Sequence, residues 1–168
     1  LDGMTGGKGL LVGKPVDALR LRIVDHEIQV AGAHVNGGYL DPAPDVENKI
    51  REGATIWHRT GDAGHLDEAG RLWLSGRIGT EVDIAGAPVF PFAVEVAARG
   101  WQGVRQCALV EHSGAPCLAI EGDASMIGTW EGNAADLGIP HVKVLQKIPM
   151  DRRHASKVDR KALLTQLR

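Results

Sequence analysis

With 168 residues, 43% of them hydrophobic and 24% charged, the chain is long enough to bury a core and has the make-up of an ordinary globular protein. Its formal net charge of −2 gives no electrostatic reason to expect nucleic acid or an anionic membrane as partner. No run approaches the ~20 apolar residues that cross a bilayer, so no membrane span is expected, and the opening residues do not read as a signal peptide.

Gly 22 and Pro 8 together predict many turns and short strands rather than long helices. Residues 1–16, LDGMTGGKGLLVGKPV, read as a glycine-rich loop around Thr5, Gly6 and Gly7 that enters a strand. Lys14 is followed by Pro15, so the G-x-x-x-x-G-K-[ST] phosphate loop is not met. Leu19–Val24 (LRLRIV) and Glu27–Ala31 (EIQVA) alternate as two strands about an Asp25-His26 turn. Asn36-Gly37-Gly38 and Tyr39 continue this β-meander, and Asp41–Arg51 reads as a polar loop with room for a helical turn.

The chemistry concentrates in Trp57–Arg77, WHRTGDAGHLDEAGRLWLSGR. Thr60-Gly61-Asp62 sets a carboxylate beside a glycine, where the backbone can turn sharply and leave the side chain exposed. Asp67-Glu68-Ala69-Gly70 is a turn signal, Arg71–Leu74 a short strand, and Gly76-Arg77 ends that strand with a fixed positive charge. A carboxylate and a guanidinium on neighbouring strand ends suit a polyhydroxylated ligand such as a ribose. On spacing alone, a surface hairpin with an exposed acid and base is the simpler account.

Beyond Arg77 the pattern changes. Glu81–Gly86 reads EVDIAG, with Asp83 three residues before its glycine. Phe90–Arg99 reads as a helix entered through Pro91, with Phe92, Val94, Val96 and Ala97 inward and Glu95 on its surface or anchoring a loop. Val104–Val110 and Pro116–Glu121 are strands joined by His112-Ser113-Gly114, each run holding one cysteine. Cys107 and Cys117 are therefore expected as buried free thiols in a reducing cytoplasm, not as a disulfide or metal site. A glycine-broken helical segment runs to Leu137, and His141–Leu145 is a third strand, which makes a small α/β unit. Ile148–Leu164 crowds Arg152, Arg153, Lys157, Arg160, Lys161 and His154 into a loop before a terminal helix. By composition alone that is a solvated basic helix entry.

In this order the segments resemble the motifs of the adenylate-forming (AMP-binding) superfamily of acyl-CoA synthetases, luciferases and adenylation domains. The opening resembles its T-x-x-G-x-G-x-x-V-G-x-P segment. HEIQVAGAHVNGGYL resembles G-E-[IV]-x-[IV]-x-G-x-x-[VL]-x-x-G-Y, with His26 replacing the first glycine. Thr60-Gly61-Asp62 and Gly76-Arg77 match the T-G-D and G-R pairs at the family's spacing. Pro91–Glu95 matches P-x-E-[IV]-E, with Ala93 for the first glutamate. Lys157 falls on the lysine of x-G-K-[IV]-x-R, with Ser156 for its glycine. The Asp151–Lys157 prefix resembles the olefin β-lactone synthetases and related bacterial fatty-acyl ligases.

The resemblance implies an α+β fold. Residues 1–76 would be the β-barrel-like, C-terminal part of a large AMP-binding domain, 77–79 a hinge, and 80–168 a small mobile α/β lid domain. It implies that Thr60, Asp62 and Arg77 bind the nucleotide, that Gly79 takes the place of a hinge residue that is usually aspartate, and that Lys157 is catalytic. Asp83 replaces a lysine of the loop that lines the family's pantetheine channel, which tilts the second step away from the ordinary coenzyme A route.

The implied activity is that of the C-terminal part of an ATP-dependent acid ligase. A fatty or β-hydroxy fatty acid attacks the α-phosphorus and pyrophosphate leaves. The acyl-adenylate then passes to coenzyme A or closes a β-lactone through the substrate's own hydroxyl. ATP/AMP, Mg2+ and coenzyme A are the implied cofactors. A small-molecule carboxylic acid and the upstream part of the same polypeptide are the implied partners, and the chain by itself is expected to be inactive. The family's Ser/Thr/Gly-rich triphosphate loop does not occur in the sequence, as expected of a portion of a longer enzyme. The alternatives are a stand-alone binding or regulatory module that kept the fold without the reaction, and a purely structural β-rich interaction domain.

Overall fold

The alternating runs of the first half become strands of one antiparallel sheet. In the computed structural model, which describes residues 8–36, 38, 47–151 and 157–168, these are β1 (Leu10–Gly13), β2 (Arg20–Val24), β3 (Glu27–Ala31), β4 (Lys49–Glu52), β5 (Thr55–Leu66) and β6 (Leu72–Arg77). Thr5, Gly6, Gly7, Gly37, Tyr39, Arg152, Arg153, His154 and Ser156 lie outside the described residues. The strand order is β1-β6-β5-β3-β2, with β4 also pairing β5, and the sheet curls into a half-barrel.

The expected turn between β2 and β3 is present, with Asp25 and His26 both in the left-handed region at φ 48° and 67°. That is the mirror-image turn that suits strand twist in a two-residue hairpin. The strand β4, KIRE, falls within and just beyond the stretch expected to be a polar loop. It is polar because it lies at the margin of the sheet, and its pairing with β5 rather than any apolar pattern makes it a strand.

The β5–β6 turn is organised by one carboxylate. Asp67 Oδ1 accepts from the backbone N–H of Ala69 and Arg71, and Oδ2 accepts from Trp73 Nε1 at 2.9 Å and Arg71 Nε at 2.7 Å. The Trp73 indole, followed by the Arg71 amide and side chain, holds this carboxyl below the usual carboxylate range.

The second half is built on a different sheet. A short hairpin, β7 (Val82–Ile84) and β8 (Ala87–Val89), leads into helix α1 (Pro91–Arg99). Then follow β9 (Val104–His112), β10 (Ala115–Gly122), a 3-10 turn at Ala124–Met126, helix α2 (Ile127–Asp136), β11 (His141–Leu145) and helix α3 (Arg160–Gln166). β10 is central, antiparallel to β9 and parallel to β11. The central strands read as continuous apolar runs because both faces are covered. Cys107, Leu109, Leu118 and Ile120 face a core with Val94 and Trp130, while Ala108, Val110, Cys117 and Ala119 face Ile148 and Leu163. Trp130 keeps its one polar group satisfied by donating Nε1–H to Gln102 O at 2.9 Å. Among the described residues no helix is long and apolar enough to cross a membrane.

Helix α1 corrects part of the expected facing. Pro91 sits at its start as anticipated, and Val94 and Val96 are buried, whereas Phe92 and Ala97 are only half-buried. Glu95 is not on the surface: it is 4% exposed. Its Oε1 accepts from the Leu109 N–H at 3.0 Å and from Arg160 Nη2 at 2.6 Å, and Arg160 also donates to Leu109 O. A carboxylate can be buried here because a strand amide and a guanidinium supply its missing solvation. The pair ties the first residue of α3 to α1 and β9.

Two outcomes follow. Glu95→Ala should lower the unfolding free energy by about 3 kcal/mol, because it leaves the Arg160 guanidinium and the Leu109 amide without their acceptor. Urea denaturation reads this, and a loss below about 1 kcal/mol would show that water replaces the carboxylate. Both cysteines are free and buried. Burial, with Glu95 nearby, pushes the Cys107 thiol from 9.0 up to about 12. Its contribution to stability is present in full below pH 9.0 and is lost as pH rises toward about 12. Native protein should leave both thiols unmodified by a thiol reagent at pH 8, with full reaction after unfolding.

Candidate functional site

Thr60-Gly61-Asp62 is not the sharp turn at a strand end that the sequence suggested. It lies inside β5, as a bulge. Glu27 pairs with Ala63 and Gln29 with Arg59, so a short step along β3 spans a longer one along β5, and the surplus residues bow out of the ladder. Gly61 takes φ +68°, a left-handed conformation that costs other residues about 1–2 kcal/mol. On the other side of β5 the ladder with β6 skips Ser75, between the pairs Ala63–Gly76 and Gly64–Leu74, and this one-residue shift sets Asp62 directly opposite Arg77 at the end of β6.

Arg77 Nη1 donates to Asp62 Oδ1 at 2.8 Å and to Thr60 O at 3.1 Å. Both side chains stay accessible, at 63% for Arg77 and 38% for Asp62. Such an exposed pair adds little to stability. Its use is geometric. Among the described residues Asp62 Oδ2 and Arg77 Nε and Nη2 have no hydrogen-bond partner, which leaves an acceptor and donors fixed side by side. Neighbouring hydroxyl groups on a sugar, each both donor and acceptor, fit that arrangement.

Thr60 takes a different part from the one expected of a ligand-binding side chain. Its hydroxyl proton goes to Ile28 O at 2.7 Å, and its oxygen accepts the Asp62 N–H at 3.0 Å. The threonine braces the bulge from within and has no proton left for a ligand.

Under the bulge lies a group that sequence reasoning left as structural. Glu27 is 6% exposed. Its Oε1 accepts the Gly61 N–H at 3.2 Å, and its Oε2 accepts Arg59 Nε at 2.8 Å and Gln29 Nε2 at 3.2 Å. Burial alone would raise its pKa. The hydrogen bonds from Arg59 and Gln29, the Arg59 charge and the Gly61 amide outweigh burial and hold the carboxyl below the ordinary value. The signal was available in the sequence: Glu27 and Gln29 alternate in EIQVA and therefore share a strand face.

Just past Arg77, the Ile78 N–H donates to Gly61 O at 2.9 Å, so Ile78 is still tied to the bulge. Gly79 follows with φ +81°, and a Cβ there would meet nothing within 4 Å. The Gly79 N–H donates to Glu81 Oε1 at 3.2 Å, and Thr80 returns both its N–H and its hydroxyl to Arg77 O.

Lys157 stands three residues ahead of α3. Its carbonyl accepts the Asp151 N–H at 2.7 Å, and the adjacent Val158 bridges Met150. Asp159 then caps α3 by accepting the Ala162 N–H at 2.9 Å. The backbone at Lys157 is pinned while its side chain is exposed. No hydrogen bond or ion pair among the described residues joins it to Asp62 or Arg77. Asp83, at the β7–β8 turn, accepts the Gly86 N–H through Oδ1 at 2.9 Å. Among the described residues no group of three or more His, Cys, Asp or Glu could hold a metal ion.

No family profile matches the chain. Among curated proteins it is 33% identical over 157 residues to an olefin beta-lactone synthetase of Stenotrophomonas maltophilia (strain K279a). That match covers 82% of this chain and 28% of the relative's length. Among solved structures it resembles the o-succinylbenzoate CoA synthetase of Bacillus subtilis in complex with its acyl-adenylate intermediate. The TM-score is 0.72 at 23% identity, over 91% of this chain and 35% of that one. An anthranilate CoA ligase in complex with anthranoyl-AMP superposes with TM-score 0.75 at 18% identity, over 93% of this chain and 34% of that one. These structural likenesses show a shared fold.

Gly61→Ala tests the bulge. The left-handed backbone alone should cost about 1–2 kcal/mol. The new methyl would also come 3.2 Å from Arg77 Nη2 and push the guanidinium off Asp62. Gly53→Ala carries the same kind of backbone at φ +58° with nothing within 4 Å, so it isolates the backbone cost. A Gly61→Ala loss no larger than that of Gly53→Ala, read by thermal unfolding, would mean that Arg77 does not pack on the bulge.

Proposed function

This chain belongs to the adenylate-forming ligases, matching a part of their length, and on that premise we propose that it is the C-terminal part of an AMP-forming acid ligase. The observation that carries this reading is the Asp62–Arg77 pair, locked to one another and open to a sugar diol. Asp62 accepts from the ribose hydroxyls of ATP and Arg77 donates to their oxygens, and together they fix the nucleotide's position. Two of the structural neighbours hold acyl-adenylates, ligands that contain such a ribose.

In the reaction a carboxylate oxygen of a small organic acid attacks the α-phosphorus. The bond from that phosphorus to the bridging oxygen breaks, and pyrophosphate leaves with its electrons. Lys157 brings its ammonium to the oxygens around the transferring phosphorus and stabilises the charge that develops there. For this it must be carried to the pair, and the hinge at 77–79, with the left-handed Gly79 tied, among the described residues, only to the nearby Glu81 side chain, lets the 80–168 unit swing over residues 1–76. A fatty or β-hydroxy fatty acid is the substrate class that the olefin beta-lactone synthetase relative supports. ATP chemistry calls for magnesium, to which this reading assigns no residue among those described. The activity belongs to a longer polypeptide, and the chain by itself does not turn over. The buried free thiols fit a reducing, cytoplasmic setting.

Asp83 bears on the second step. It caps the β7–β8 turn, at the place where the family carries a lysine in the loop along the pantetheine channel. This favours expulsion of AMP by the substrate's own β-hydroxyl, closing a β-lactone, over attack by the coenzyme A thiol.

Carboxylate-dependent ATP–pyrophosphate exchange tests the proposal in this chain, in the longer polypeptide and in the longer polypeptide with Lys157→Ala. Exchange is expected only in the longer form, with a loss of about 100-fold or more on Lys157→Ala. No exchange with short or long acids in the longer form would overturn the ligase reading in favour of a non-catalytic binding module.

A further inference from the structure

The donors beneath the bulge all point one way. Arg22, which forms an ion pair with Glu52 at 2.8 Å and lies 4.2 Å from the centre of the Trp57 ring, donates Nε–H to Gln29 Oε1 at 2.9 Å. That bond fixes which end of the Gln29 amide faces inward, and Nε2 then donates to Glu27 Oε2 at 3.2 Å. Arg59 Nε and the Gly61 N–H arrive at the same carboxylate from β5. Three donors converge on Glu27, and a side chain that must donate cannot replace it without facing another donor.

The Gly61 amide is the one group in this set that belongs to the bulge itself. Its neighbours on either side, Thr60 and Asp62, are the residues that Arg77 grips. Fixing Gly61 therefore fixes where the Asp62 carboxylate stands relative to the guanidinium. We infer that Glu27 is a positioning residue for the nucleotide: through the Gly61 amide it holds the Thr60-Gly61-Asp62 bulge at the height where Asp62 and Arg77 together meet a sugar diol. Gln29 and Arg22 act behind it as a relay that keeps its acceptor face oriented. This rests on the reading of Asp62 and Arg77 as the nucleotide-holding pair.

Glu27→Gln is nearly isosteric, but its single acceptor oxygen goes to the two donors Gln29 Nε2 and Arg59 Nε, which turns its N–H2 against the Gly61 N–H and releases the bulge. The exchange Glu27→Gln with Gln29→Glu restores the pattern. In that double form the amide at position 27 accepts from the Gly61 N–H and donates to the carboxylate at position 29. That carboxylate in turn accepts from Arg22, while Arg59, 44% exposed, turns to water. The longer polypeptide serves for the parent, the single and the double form, with melting temperature, exchange kinetics and hydrogen–deuterium exchange of the segment 59–66 as readouts. Glu27→Gln should raise KM for ATP about tenfold, leave kcat and KM for the acid within about threefold, and speed amide exchange in 59–66. The double exchange should bring KM for ATP and amide protection back to within about threefold of the parent.

A lowered melting temperature with KM for ATP unchanged would overturn the inference, because it would give Glu27 a structural role only. So would an equal loss in kcat and both KM values, or a double exchange no better than the single. A parent protein without ATP–pyrophosphate exchange would sink the ligase reading. In that case faster amide exchange in 59–66 on Glu27→Gln, reversed in the double exchange, would still support Glu27 as the clamp of the bulge, and unchanged protection would overturn that as well.

Discussion

A buried carboxylate that must be met by donors from another strand is the constraint on which this structure turns. Glu27 is 6% exposed and can stay charged there only because Arg59, Gln29 and the Gly61 amide take over the solvation it loses. Satisfying it draws β5 into an irregular path. Asp62 sits in that irregular stretch, and a second register shift, at Ser75 of β6, sets it level with Arg77. A buried group thus holds the segment that carries one half of an exposed ion pair.

The same device recurs at the other end of the chain. Glu95, 4% exposed, receives a strand amide and the Arg160 guanidinium and fixes the start of α3. The Met150–Val158 bridge and the Asp159 cap close the segment just before it. Lys157 thus has its carbonyl engaged by the Asp151 N–H while its side chain is exposed. Each proposed ligand-facing element is anchored by a buried glutamate one layer below it, and Gly79 lies between the two units. On the proposed reading, a turn in the link between these anchors delivers and withdraws Lys157 without disturbing the pair proposed to hold the ribose.

Much of this is legible in the sequence, for identifiable reasons. Strands β2, β3 and β11 follow from alternation, β9 and β10 from continuous apolar runs, and α1 from Pro91 ahead of an apolar face. What escapes depends on partners distant along the chain. β4 has too few apolar residues to signal a strand and exists because β5 pairs with it. β7 and β8 are too short to show a period. The bulge at Gly61 looks like a turn because glycine beside aspartate signals both, and only the register against β3 tells them apart. For Glu95 the sequence leaves a surface or a loop-anchoring place open, because a lone helical glutamate gives no hint of an arginine 65 positions later; only the second option agrees with the structure. Motifs single out Asp62, Arg77, Gly79 and Lys157, and the structure supplies the spatial setting of each. They single out Thr60 too, and its hydroxyl proves to be engaged inside the bulge.

The most direct test of the central claim is a crystal structure of the longer polypeptide bound to a non-hydrolysable acyl-adenylate analogue. Both ribose hydroxyls should lie within hydrogen-bond distance of Asp62 and Arg77, with the Gly61 amide still on Glu27 and the bulge unchanged. A ribose bound elsewhere, or one held there with the Gly61 amide withdrawn from Glu27, would contradict the central claim.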